Sequence, residues 1–176
     1  MTYSSTDPVT SLQRLTEIST FDLYSATVRD RLDELARLGA EHFELPIAIV
    51  SIVLDTTQYH AGRYGLRGWL AEVDGAPIEW SFCVNTVRNG APYIVEDALS
   101  DELQQDNPIV TEDGLRCYAG APLLTSTGEV LGAYCVAGAQ PRRFSPADLE
   151  DLRRRAAEVV AEIEAHRLGP GGPAVT

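Results

Sequence analysis

The residues best suited to chemistry in this chain are its three thiols, Cys83, Cys117 and Cys135. None belongs to a C-x-x-C pair or stands at metal-ligating spacing from a histidine, so the sequence indicates neither a redox dipeptide motif nor a metal site. Cys83 follows Trp80, Ser81 and Phe82 in a region broken by glycine and proline, whereas Cys117 and Cys135 lie inside apolar runs. Cys83 is therefore the thiol whose pKa a neighbouring helix N-terminus could lower, with simple packing as its other role. Arg116 and Asp97 are candidates to fix a polar group of a ligand, the arginine through its forked donors, or else to pair with each other. Trp80, Tyr118 and Tyr134 can stack on a planar ligand or fill the core. His42, His60 and His166 are scattered, and a lone histidine does not define a haem or metal site. No nucleophile and base recur together, so no catalytic residue is assigned unless Cys83 acts as one.

Composition removes several further activities. The chain has 176 residues and a formal net charge of −12, from 14 basic and 26 acidic residues. It lacks the basic stripe that binding to nucleic acid or an anionic membrane requires. Every basic residue is arginine, which excludes a Schiff-base lysine, a Walker-type phosphate lysine and a kinase lysine. No apolar run approaches the length of a membrane span, and the first residues form no signal core, so a soluble cytoplasmic protein with reduced thiols is expected.

The elements that must position these residues are organised around 116–137. Two apolar runs flank a Ser-Thr-Gly cluster, the pattern of a β-hairpin covered on both faces. With the turn centred on Thr127, Leu124 pairs with Val130, and Tyr118, Gly120, Pro122, Gly132, Tyr134 and Val136 share one face. That face is the expected pocket wall. Cys117, Ala119, Ala121, Leu123, Leu131, Ala133 and Cys135 share the smoother face, where helices pack, and Cys117 and Cys135 lie on a diagonal too long for a disulfide.

Helical spacing covers 12–18 and continues to Phe43, with Asp22 as the expected cap and Pro46 as the stop. The run at 47–54 reads as a central strand, 58–64 as a second, and 65–79 as an irregular excursion of the kind that carries function. A short helix at 81–88, a strand at 92–95 and loops to Gly114 form a cover over the tyrosine face. Ser145, Pro146 and Asp148 start a last helix whose apolar seam runs from Leu149 to Ile163. One domain is expected over 11–167, between a mobile arm at 1–10 and a flexible tail at 168–176.

In order, the blocks PIAIVSIV, SFC, PYIVED, NP, LRCYAGAPL, GEVLGAYCV and FSPADL resemble the GAF domain as found in bacterial signalling proteins, over roughly residues 12–165. The resemblance implies an α+β fold: an antiparallel sheet of five or six strands, terminal helices on one face, short helices and loops forming a pocket on the other. It also implies a non-catalytic small-molecule sensor, often dimeric through its terminal helices, of the kind that signals to an attached kinase, cyclase or phosphatase; for this chain a separate effector is expected. No cofactor or ligand is named by it. The chain departs from cyclic-nucleotide-binding members, whose constellation includes a lysine, and from bilin-binding members, whose thiol adjoins a histidine. An enzyme resembling the free methionine sulfoxide reductases, or a redox sensor, both using Cys83, is the alternative. A scaffold whose pocket is filled by Trp80 and Tyr134 is a third.

Overall fold

A breaker-free run, apolar apart from Ser51, makes Ile47–Val53 a strand, β1, at the centre of a six-stranded antiparallel sheet. The computed structural model describes residues 7–169. β1 pairs on one side with β2 (Thr57–Tyr64), which carries the short edge strand β3 (Gly75–Pro77). On its other side come β6 (Val130–Gly138), β5 (Cys117–Leu124) and β4 (Tyr93–Val95), in the order β3-β2-β1-β6-β5-β4. The expected α+β architecture is the one found.

Helices α1 (Leu12–Ile18), α2 (Ala26–Phe43) and α6 (Pro146–Glu164) are each begun by a serine side chain that accepts a first-turn amide. Ser25 caps α2; Asp22, the expected cap, lies earlier and accepts the amides of Tyr24 and Ser25. α2 and α6 lay Leu32, Leu35, Leu152, Val159 and Ile163 over the sheet face formed by Ala48, Val50, Ile52, Ala119 and Ala121. Each large side chain so buried contributes about 1.5–3 kcal/mol.

Of the arm expected at 1–10, residues 1–6 lie outside the described residues, and 7–10 are not an arm. Pro8–Thr10 forms a 3-10 turn that buries Val9 and covers Arg14. Arg14 is only 2% exposed, and its guanidinium donates to the carbonyls of Pro8, Val9, Val53 and Leu131 at 2.6–3.3 Å. Of the expected tail, Leu168 donates its amide to the Thr20 carbonyl, and 170–176 lie outside the described residues.

The β5–β6 hairpin corrects the expected register. Leu124 does pair with Val130, but Leu123 then faces two residues, Leu131 and Gly132, and beyond them Pro122 pairs with Ala133, Ala121 with Tyr134 and Gly120 with Cys135. This β-bulge exchanges the faces of every later β6 residue relative to β5. Gly132 allows it: a Cβ there would fall on the Ser51 carbonyl of β1. Tyr134 consequently points beneath α2, where its hydroxyl donates to the Leu35 carbonyl at 2.8 Å, and is not a pocket residue. Cys135, expected on the helix side, takes its place on the open side.

Candidate functional site

Strand alternation sends Ile47 and Ile49 of β1, Gln58 and His60 of β2, Tyr118 of β5, and Cys135 and Ala137 of β6 away from α2 and α6. The excursion after β2, with its short helix α3 (Trp69–Glu72), covers this face together with α4 (Cys83–Asn89) and the loop containing α5 (Pro108–Thr111). Between sheet and cover lies a cavity of about 560 Å³. Small-molecule sites typically occupy about 300–1,000 Å³.

One wall of the cavity is sulfur. The Cys83 sulfur lies 3.8 Å from that of Cys135 and accepts the Tyr118 hydroxyl at 3.0 Å, while both thiols are at most 2% exposed. The Ser51 hydroxyl, which has no hydrogen-bond partner among the described residues, is a further polar neighbour of Cys83. Burial alone raises a thiol's pKa; here the contact with Cys135 and the hydrogen bond from Tyr118, with the Ser51 hydroxyl as a further polar neighbour, outweigh it and hold Cys83 below its ordinary value. Cys135, bound to Cys83 and desolvated, is pushed well above its own. Cys117 is buried, does not line the cavity, and is raised by desolvation. Among the described residues no histidine or carboxylate bonds Cys83, so the acid–base partner of an acyl-transfer nucleophile is not provided.

The opposite wall is polar and uncharged. The Ser81 hydroxyl donates to Gln58 Oε1 and accepts the Val84 amide at 3.1 Å, and Gln58 Nε2 lies 3.2 Å from His60 Nε2. That contact makes Nε2 the acceptor and leaves the proton on Nδ1, which has no partner among the described residues. His60 is 2% exposed, and desolvation lowers its pKa to about 4, so the ring is neutral at pH 7.

Trp80 lines the cavity and meets Trp69 edge to face at 5.7 Å. The charged lining residues, Arg67, Glu112 and Asp113, are exposed and belong to the rim. Of the candidates read from the sequence, the structure thus brings together Trp80, Cys83 and Tyr118. Asp97 and Arg116 do not reach the cavity: they form an ion pair at 2.9 Å, and Asp97 also caps the 3-10 turn Ala98–Ser100. Gln58, His60, Ser81 and Cys135 are lining residues that the sequence reading did not select. The two-residue spacing of Gln58 and His60 within a strand was the available signal; for Cys135 it was the glycine inside β6, which marks a bulge.

Comparison with known proteins agrees with this architecture. A family model described as the GAF domain matches residues 25–164. A cyclic di-GMP phosphodiesterase of Pseudomonas aeruginosa is 33% identical over 137 residues, 77% of this chain and 22% of that protein. The chain thus spans about a fifth of that relative's length. The type II free methionine-R-sulfoxide reductase of Thermoplasma acidophilum shares the fold with a TM-score of 0.66 at 12% identity, covering 83% of this chain and 98% of that one. The GAF domain of a Coxiella burnetii phosphoenolpyruvate-protein phosphotransferase does so at 0.66 and 15% identity, over 87% and 89% of the two chains.

Proposed function

The chain belongs to the GAF domain family, and from that membership we propose that it is a small-molecule sensor whose ligand occupies the cavity between the sheet and the 65–115 cover. The cavity itself carries this reading: its size suits a metabolite, and its interior polar groups are buried and uncharged. Such a chamber favours a largely apolar, uncharged molecule with one or two hydrogen-bonding atoms, which Gln58, Ser81 or Tyr118 would orient. A charged ligand would leave its hydration shell for a site without a counter-charge, at a cost of several kcal/mol.

β1 and β6 present alternate residues to the cavity and to α2 and α6, so displacement of the wall on ligand binding reaches the terminal helices through the sheet. In this reading two copies pair through α2 and α6 and signal to a separate effector in the cytoplasm. The relative's phosphodiesterase activity illustrates one kind of output such a domain accompanies. Among the described residues no helix is long and apolar enough to cross a membrane.

Thermal unfolding against a panel of uncharged aromatic compounds tests the proposal. A ligand at a hundredfold excess over its Kd adds about 2.7 kcal/mol to stability, several degrees for a chain of this size. Ile49→Trp, which fills the chamber from β1, should abolish that response while leaving the chain folded. No stabilising compound, or equal stabilisation of both chains, would overturn the sensor reading.

The position of Cys83 on the cavity wall also favours a second reading, a thiol enzyme acting on free methionine sulfoxide. Turnover of that substrate with dithiothreitol, lost in Cys83→Ser, would support it, and absence of turnover would remove it.

A further inference from the structure

We propose that Cys83 and Cys135 act as a dithiol site that a small hydroperoxide, entering through the cavity, oxidises to an intramolecular disulfide. The two sulfurs come from separate elements, α4 and β6, yet stand 3.8 Å apart. A disulfide bond is about 2.05 Å long, so closure asks each sulfur to move roughly 0.9 Å, within reach of modest side-chain rotation. Both thiols line the cavity and are otherwise enclosed, so the cavity is the route by which an oxidant arrives. A small hydroperoxide fits within its volume of about 560 Å³.

The surroundings divide the labour between the two sulfurs. Cys83 accepts the Tyr118 hydroxyl at 3.0 Å and has the Ser51 hydroxyl beside it, groups that stabilise a thiolate. Cys135 contacts the Cys83 sulfur, and that contact together with desolvation favours its protonated form. In the first step the Cys83 thiolate attacks the distal oxygen of the hydroperoxide; the O–O bond breaks, the S–O bond forms, and the alkoxide leaves with a proton as the alcohol, or as water from hydrogen peroxide. In the second, Cys135 gives up its proton and attacks the sulfenic sulfur, and the hydroxyl departs as water. In sum one hydroperoxide and two thiols give a disulfide, an alcohol and water. This chemistry needs no bound ligand, so it is independent of the sensor reading.

The folded chain, treated with a small excess of hydrogen peroxide, unfolded in N-ethylmaleimide and weighed intact, decides the matter. The three thiols of the reduced chain should fall to one, with a mass lower by two hydrogens before alkylation, and dithiothreitol should restore all three. Peptide mapping should place the crosslink between Cys83 and Cys135 and the single alkylation on Cys117. In Cys117→Ser the crosslink should persist; in Cys135→Ser oxidation should halt at a sulfenic acid on Cys83, trapped by dimedone. Three alkylatable thiols after treatment, a crosslink that includes Cys117 or joins two chains, or oxidation of Cys83 to the sulfinic acid without a crosslink in the native chain would each overturn the proposal.

Discussion

The indole nitrogen of Trp69 lies 3.1 and 3.2 Å from the two carboxylate oxygens of Asp113, tying the excursion after β2 to the loop before β5. Both segments line the cavity, and the contact joins them on the solvent side, where Trp69 is 38% exposed. An exposed bond of this kind contributes about 0.5–1 kcal/mol. Asp113→Ala or Trp69→Phe should therefore speed amide hydrogen exchange at 65–72 and 109–115 by about two- to fivefold, with no change in β1 or β6. Exchange unaltered in both variants would show that the cover is held by other contacts.

Gly39 of α2 faces the Tyr134 ring, and a Cβ there would fall on the Tyr134 hydroxyl. Gly39→Ala should cost about 1–3 kcal/mol by overpacking, against the gain its helix propensity would bring elsewhere. Tyr134→Phe should cost about 1 kcal/mol through the lost donor to Leu35. Because the second change removes the atom nearest the added methyl, the double variant should be less destabilised than the sum, by at least about 0.5 kcal/mol in urea unfolding. A stabilised Gly39→Ala would mean that Tyr134 does not lie beneath α2.

His60 makes stability depend on pH. Desolvation lowers its folded pKa to about 4 from the ordinary 6.5, so between those values the unfolded chain binds the extra proton. Stability is intact above pH 6.5 and is lost as pH falls toward 4, by about 2 kcal/mol between pH 7 and pH 5. The depressed carboxylates, such as Asp22 and Glu164, lose their contributions only as pH falls below the usual carboxylate range. Urea midpoints of the native chain and of His60→Gln at pH 7 and 5 separate the effects: the variant should lose most of this dependence. Equal slopes would assign it to other groups.

Arg14 joins the 3-10 turn at 8–10 to β1 and β6 through five carbonyls. Arg14→Met removes their shared charged donor, although the Pro8 carbonyl keeps the Ser11 amide, and should cost about 2–4 kcal/mol. Arg14→Lys should recover only part, because an ammonium cannot reproduce the planar fork. A neutral Arg14→Met would show that the turn is held by Val9 alone.

Most of the scaffold was legible in local chemistry. The breaker-free run at 47–53 could only be a buried strand, and the Ser145, Pro146 and Asp148 triplet marks a helix start wherever it occurs. The cavity wall was less so, because it depends on one inserted residue. A strict two-residue alternation through β6 assigns Tyr134 to the pocket and Cys135 to the helices, and the bulge at Leu131 and Gly132 reverses both. The reversal comes from the close approach of β1 to Gly132, a tertiary contact that strand periodicity does not encode. Asp97 and Arg116 met each other away from the cavity, the alternative their opposite charges had offered.

Whether the chamber receives a small molecule is tested most directly by methyl NMR of the isoleucine- and leucine-labelled chain titrated with indole, an uncharged planar probe. The account expects the methyls of Ile47, Ile49, Leu70, Ile109 and Leu115 to shift together and to show contacts to the probe, with Leu152 and Ile163 under the terminal helices making none. Contacts confined to the outer surface, or no shift of the cavity methyls at millimolar indole, would contradict it.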